Sequence, residues 1–82
     1  MPLSDLPNLG KASQQWLHDI GITTIEELKA SGVIDTYIRL KLRYPEKITL
    51  NMLYGLYGAI HDVHWRDITP EIKAELRAEV EM

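Results

Sequence analysis

The chain carries LPNLGK at residues 6–11 and GITTIEEL at residues 21–28, and these two stretches decide the fold. Proline fixes one backbone torsion and glycine permits a tight reversal, so the first stretch predicts a turn that leads into a helix. Gly21 is suited to ending that helix, and the threonines and glutamates after it have the spacing of a helix cap. Gly32 is expected to end the second helix in the same way.

Apolar residues recur at helical spacing along the rest of the chain, and no segment alternates as a β-strand does. We therefore predict an all-α fold. The five expected helices cover residues 11–20, 24–31, 33–43, 49–62 and the segment that starts at Thr69-Pro70-Glu71. The cap of the second helix is either Thr23 with Glu26 or Thr24 with Glu27, and the spacing fits both.

The apolar pattern also predicts which side chains form the core. The residues expected to face inward are Ile34, Tyr37, Ile38 and Leu42 in the third helix and Ile72, Leu76 and Val80 in the fifth. The fourth helix is apolar nearly all round, which is typical of a central helix. Its packed side is expected to carry Leu50, Leu53, Leu56, Tyr57 and Ile60. Trp16, in the first helix, should be largely buried against this fourth helix.

The composition limits what the protein can be. Its 82 residues predict one domain over residues 1–82, and the absence of cysteine excludes disulfides, thiol catalysis and thiolate zinc sites. The sequence shows no signal peptide and no apolar run long enough to span a bilayer, so we expect a soluble cytoplasmic protein without membrane contact. The net charge is −3, but residues 1–47 hold equal numbers of basic and acidic residues. An anionic partner would therefore bind that half.

The start of the first helix is a candidate phosphate site, because unpaired N–H groups and the helix dipole attract anions there. The alternative is a helix–helix corner that binds no ligand. Basic residues of the third helix can add salt-dependent attraction to a nucleic-acid backbone, or they can form a solvated surface. The candidate residues for contact with duplex DNA are Asn8, Gly10, Lys11, Arg39, Lys41 and Arg43.

His61 and His64 are three residues apart, a spacing that lets two imidazoles share a metal ion. Asp62 and Asp67 lie nearby in the sequence, but the spacing fixes no third ligand, and the helix dipole alone explains histidine at a helix C-terminus. We therefore predict no metal and no cofactor. The sequence has no nucleophile–base pattern, phosphate-binding loop or dinucleotide fingerprint, which favours a protein that is not an enzyme.

Three longer stretches carry a family resemblance: LPNLGKASQQWLHDIGITTIEEL, SGVIDTYIRLK and ITLNMLYGLYGAIHDVHW. With them, residues 6–76 resemble the C-terminal domain of the TfoX/Sxy family, bacterial-type regulators of natural DNA transformation. The resemblance implies a five-helix fold of the helix-hairpin-helix or SAM-like type and a link to competence regulation. Asn8 stands where such hairpins usually have glycine, and the N-terminal domain of the family is not in this sequence.

Two functions fit these observations. The first is a non-enzymatic regulatory or accessory domain that makes a weak, sequence-independent contact with duplex DNA through the predicted hairpin. The alternative is a protein-interaction or self-association module, in which a homodimer covers apolar surface. The net negative charge, the acidic last helix and the largely apolar fourth helix favour this alternative, whereas basic side chains converging on Gly10 would favour nucleic acid.

Overall fold

The computed structural model describes residues 9–81, and throughout that range the regular structure is helical, which confirms the predicted all-α class. Its elements are α1 (Lys11–Asp19), α2 (Ile25–Ser31), α3 (Val33–Arg43), α4 (Leu50–His61), a 3₁₀ turn (Trp65–Asp67) and α5 (Pro70–Val80). The predicted hairpin at residues 6–11 falls largely outside the described residues. Within residues 9–81, no helix combines the length and the apolar character needed to cross a bilayer.

α1 ends in a Schellman motif. The N–H of Ile22 donates to the carbonyl of Leu17 at 2.9 Å, and the N–H of Gly21 donates to the carbonyl of His18 at 3.0 Å. Gly21 has φ +86°, a conformation that L side chains rarely adopt, so its predicted role at the helix end is confirmed. Leu17 and Ile22 are both buried, as the hydrophobic pair that accompanies this motif requires.

The cap of α2 settles the open choice of register in favour of Thr24 and Glu27. The Oγ1 of Thr24 accepts from the N–H of Glu27 at 3.2 Å. The Glu27 carboxylate in turn accepts from the hydroxyl of Thr23 at 2.7 Å and from its N–H at 3.0 Å. The Thr23 hydrogen bonds hold the pKa of Glu27 below its ordinary value. α2 ends at Gly32, as predicted, with φ +86°.

α3 and α4 form the centre of the domain. Both pack against α2, α5 and each other, and α4 also packs against the 3₁₀ turn, so the predicted central position of α4 is confirmed. The fully buried apolar side chains are Leu17, Leu28, Leu40, Ile48, Leu53 and Leu56. Thr36 of α3 is fully buried among them, and its hydroxyl donates to the hydroxyl oxygen of Ser31 at 2.7 Å.

Three predicted core positions are wrong. Ile38 is 42% exposed, Leu42 is 79% exposed and Leu50 is 36% exposed. α3 carries two apolar stripes on different sides, and the neighbouring helices cover the one that contains Tyr37 and Leu40. On α4 the buried side is that of Met52, Leu53, Leu56 and Ala59.

Trp16 is partly buried, and its ring contact is with Tyr44, the residue that follows α3. Its side chain is half-buried and packs against the core, and its ring lies beside that of Tyr44, with centroids 6.0 Å apart. The expected burial of Trp16 is therefore confirmed in part, and contact of its ring with α4 stays a prediction.

α5 begins as predicted. Pro70 occupies its first turn, and the Oγ1 of Thr69 accepts from the N–H of Ile72 at 3.2 Å. Leu76 is buried, and Ile72 and Val80 are partly buried against the core, which confirms the expected inner stripe.

Candidate functional site

The start of α1 is open in the part of the chain that the structure describes. Gly10 is the N-cap residue and is exposed, with φ −80° and ψ 177°, an extended conformation that any residue can adopt. A Cβ placed on Gly10 would meet no atom within 4 Å. The tight turn predicted at Gly10 therefore does not draw on the conformational freedom of glycine. Lys11 is exposed beside it, whereas Leu9 is buried and anchors the approach to the helix.

Arg39 lies at the other end of α1. Its Nη2 donates to the carbonyl of Ile20 at 2.6 Å, where a positive charge is favourable because helix C-termini carry partial negative charge. α1 has nine residues and so spans ~13 Å at ~1.5 Å per residue. Arg39 and Gly10 are therefore separated by the length of this helix.

Arg43 shares the Arg39 end of α1 with an acidic group. Its guanidinium carbon lies 5.6 Å from the ring centroid of Tyr44. The Tyr44 hydroxyl donates to the Asp19 carboxylate, and the Nε2 of Gln15 donates to the same carboxylate at 3.2 Å. The Tyr44 hydrogen bond, with smaller effects of Gln15 and of the Arg43 charge, lowers the pKa of Asp19. Asp19 therefore offsets part of the positive charge there.

Lys41 stabilises the loop between α3 and α4. Its Nζ donates to the carbonyl of Ile48 at 2.7 Å and to the carbonyl of Pro45 at 2.9 Å. Both partners are neutral carbonyls, and the residue is exposed. Positions two apart on a helix do not share a side, so Lys41 lies on the opposite flank of α3 from Arg39 and Arg43.

The five predicted contact residues that the structure describes therefore do not form one cluster. Gly10 and Lys11 lie at the start of α1, Arg39 and Arg43 lie near its end, and Lys41 lies on a different flank of α3. Asn8 lies outside the described residues. Contact between these residues and DNA stays a prediction, and the separate locations give no convergent clamp around Gly10.

An apolar row of α3 that was expected in the core lies partly on the surface. Ile34, Ile38 and Leu42 are spaced four residues apart, so they follow one side of α3, and their exposure rises from Ile34 to Leu42. Lys41 flanks the row on one side, and Arg39 and Arg43 flank it on the other. Exposed Asp35 lies on the same side, seven residues before Leu42 and four before Arg39. We call the surface formed by Ile34, Asp35, Ile38, Arg39, Lys41, Leu42 and Arg43 the α3 outer face. The signal that could have identified it is the presence of two apolar rows in one 11-residue helix.

The two histidines have separate protein neighbours. The His61 ring lies against that of Tyr57, with centroids 4.3 Å apart. The Nδ1 of His64 accepts from the N–H of Arg66 at 3.2 Å. Among residues 9–81, no three His, Cys, Asp or Glu side chains are placed to hold a metal ion.

These features define a small all-α domain with one helix face that carries an exposed apolar row flanked by Lys41 on one side and by Asp35, Arg39 and Arg43 on the other. The chain belongs to the TfoX C-terminal domain family, whose model matches residues 1–80. A crystal structure of an uncharacterized Listeria monocytogenes protein, triclinic form, is 34% identical, with a TM-score of 0.87 over 94% of this chain and 86% of that chain. A tetragonal-form structure of a Listeria monocytogenes protein of unknown function is 33% identical, with a TM-score of 0.85 over 96% of this chain and 95% of that chain. No curated protein matches the chain.

Proposed function

We propose that this domain is a non-enzymatic regulatory or accessory module of the cytoplasm that acts by binding a protein partner through the α3 outer face. The observation that carries the proposal is the exposure of Leu42, at 79%, in line with the partly exposed Ile38. Single exposed leucines are common on protein surfaces, but an apolar row along a helix is a feature of interaction sites. Membership of the TfoX C-terminal domain family supports a role in regulating DNA transformation.

Affinity capture with a matched pair of variants tests this proposal. Leu42→Glu places a charge in the apolar row, whereas Ala78→Glu places the same charge at an exposed position of α5. We expect the wild-type domain and Ala78→Glu to retain the same partner from the cytosol of the source organism, and Leu42→Glu to lose it. Identical retention by all three proteins would contradict the proposal.

A second candidate function is weak contact with nucleic acid through a hairpin of the helix-hairpin-helix type at the start of α1. The exposed Gly10 and Lys11 support it, because glycine has no side chain to cap the first-turn amides, which attract phosphate. Fluorescence anisotropy with a labelled duplex at low salt tests it. We expect Lys11→Glu to weaken binding and Lys29→Glu, at an exposed position of α2, to change it less. No binding at tens of micromolar, roughly the range of non-specific DNA affinities, would rule it out.

A further inference from the structure

We draw no further inference here: the strongest candidate, the exposed apolar row of Ile38 and Leu42 on the α3 outer face, is bordered by charges of both signs, and nothing in the structure shows what covers it.

Discussion

The two sides of α3 carry similar residues and have opposite surroundings. Leu40 is fully buried, whereas Leu42, two positions later on the same helix, is 79% exposed. Thr36 and Tyr37 belong to the inner side, where α2, α4 and α5 pack, and Ile38 belongs to the outer side. Residue type does not separate the two leucines, because the neighbouring helices decide which stripe is covered. The fold uses one apolar stripe of α3 and leaves the other in contact with solvent.

The flank of α3 between these sides has a third role, which is to hold α1. Arg39 binds the carbonyl of Ile20, and the residue after α3, Tyr44, donates to Asp19 and lies beside Trp16. These contacts are polar or aromatic and largely exposed, in contrast to the apolar contacts between α3 and α4. α1 also contributes the fully buried Leu17 to the core, but it has this one buried residue where α3 has three and α4 has five, so we expect α1 to unfold locally at a lower free energy than the α3–α4 pair.

The strongest test of the difference between the two sides of α3 is truncation of Leu40 and Leu42. We expect Leu40→Ala to lower the free energy of unfolding by about 2–5 kcal/mol, because it removes buried methyl groups and leaves a cavity. Leu42→Ala should change it by no more than about 0.5 kcal/mol, as is usual for exposed positions. Urea unfolding followed by circular dichroism measures both. Equal losses for the two variants would mean that the two sides of α3 contribute alike to folding.

Removal of the Trp16 ring tests the attachment of α1. Trp16→Ala should lower the free energy of unfolding by about 2 kcal/mol. This loss is smaller than that for a fully buried tryptophan, because the side chain is half-buried and its ring contact is with Tyr44. Hydrogen exchange should show faster exchange of α1 amides with little change in α4. Global destabilisation as large as that of Leu40→Ala would place α1 in the central core.

The hydrogen bond of the buried Thr36 hydroxyl allows a smaller change on the inner side of α3. Thr36→Val keeps the shape of the side chain and removes the donor to Ser31, so we expect a loss of about 1 kcal/mol in the free energy of unfolding. Ser31→Ala, which removes the acceptor, is the matched variant. The double variant should lower the free energy of unfolding by less than the sum of the two single losses. Full additivity would show that this hydrogen bond contributes nothing to stability.

The smallest expected effect is a change in acid stability. Tyr44 and Gln15 lower the pKa of Asp19 below its ordinary value of 3.8, so this carboxylate stabilises the fold above that pH, and the contribution is lost as the pH falls through the lowered pKa. Tyr44→Phe keeps a ring beside Trp16 and removes the hydrogen bond. We expect Tyr44→Phe to be less stable than the wild type at about pH 6 and to approach it at about pH 2. A difference that is the same at both pH values would contradict the assignment to Asp19.

The sequence predicted the features that depend on neighbouring residues. Gly21 and Gly32 end helices where the chain needs positive φ, and Thr69 with Pro70 begins α5. Such signals are local, so one sequence is enough to interpret them. The capping register at Thr24 needed the structure, because both registers satisfy the same spacing.

The features that the sequence did not predict depend on packing between helices. Helical spacing places Ile38 and Leu42 in one row, but only the positions of α2, α4 and α5 show that this row is outside. The binding of Lys41 to the carbonyl of Ile48, and of Arg39 to that of Ile20, joins residues from different elements. A charge count along α3 therefore predicted attraction to anions without predicting where each charge lies.

An NMR titration of the ¹⁵N-labelled domain with the protein partner obtained by affinity capture tests most directly whether the α3 outer face is a binding surface. We expect the largest amide shift changes along α3 at Ile38 and Leu42 and at the flanking basic residues, with the α1 start at Gly10 and Lys11 unaffected. Shift changes centred on Gly10 and Lys11, or the absence of any change along α3, would contradict the account.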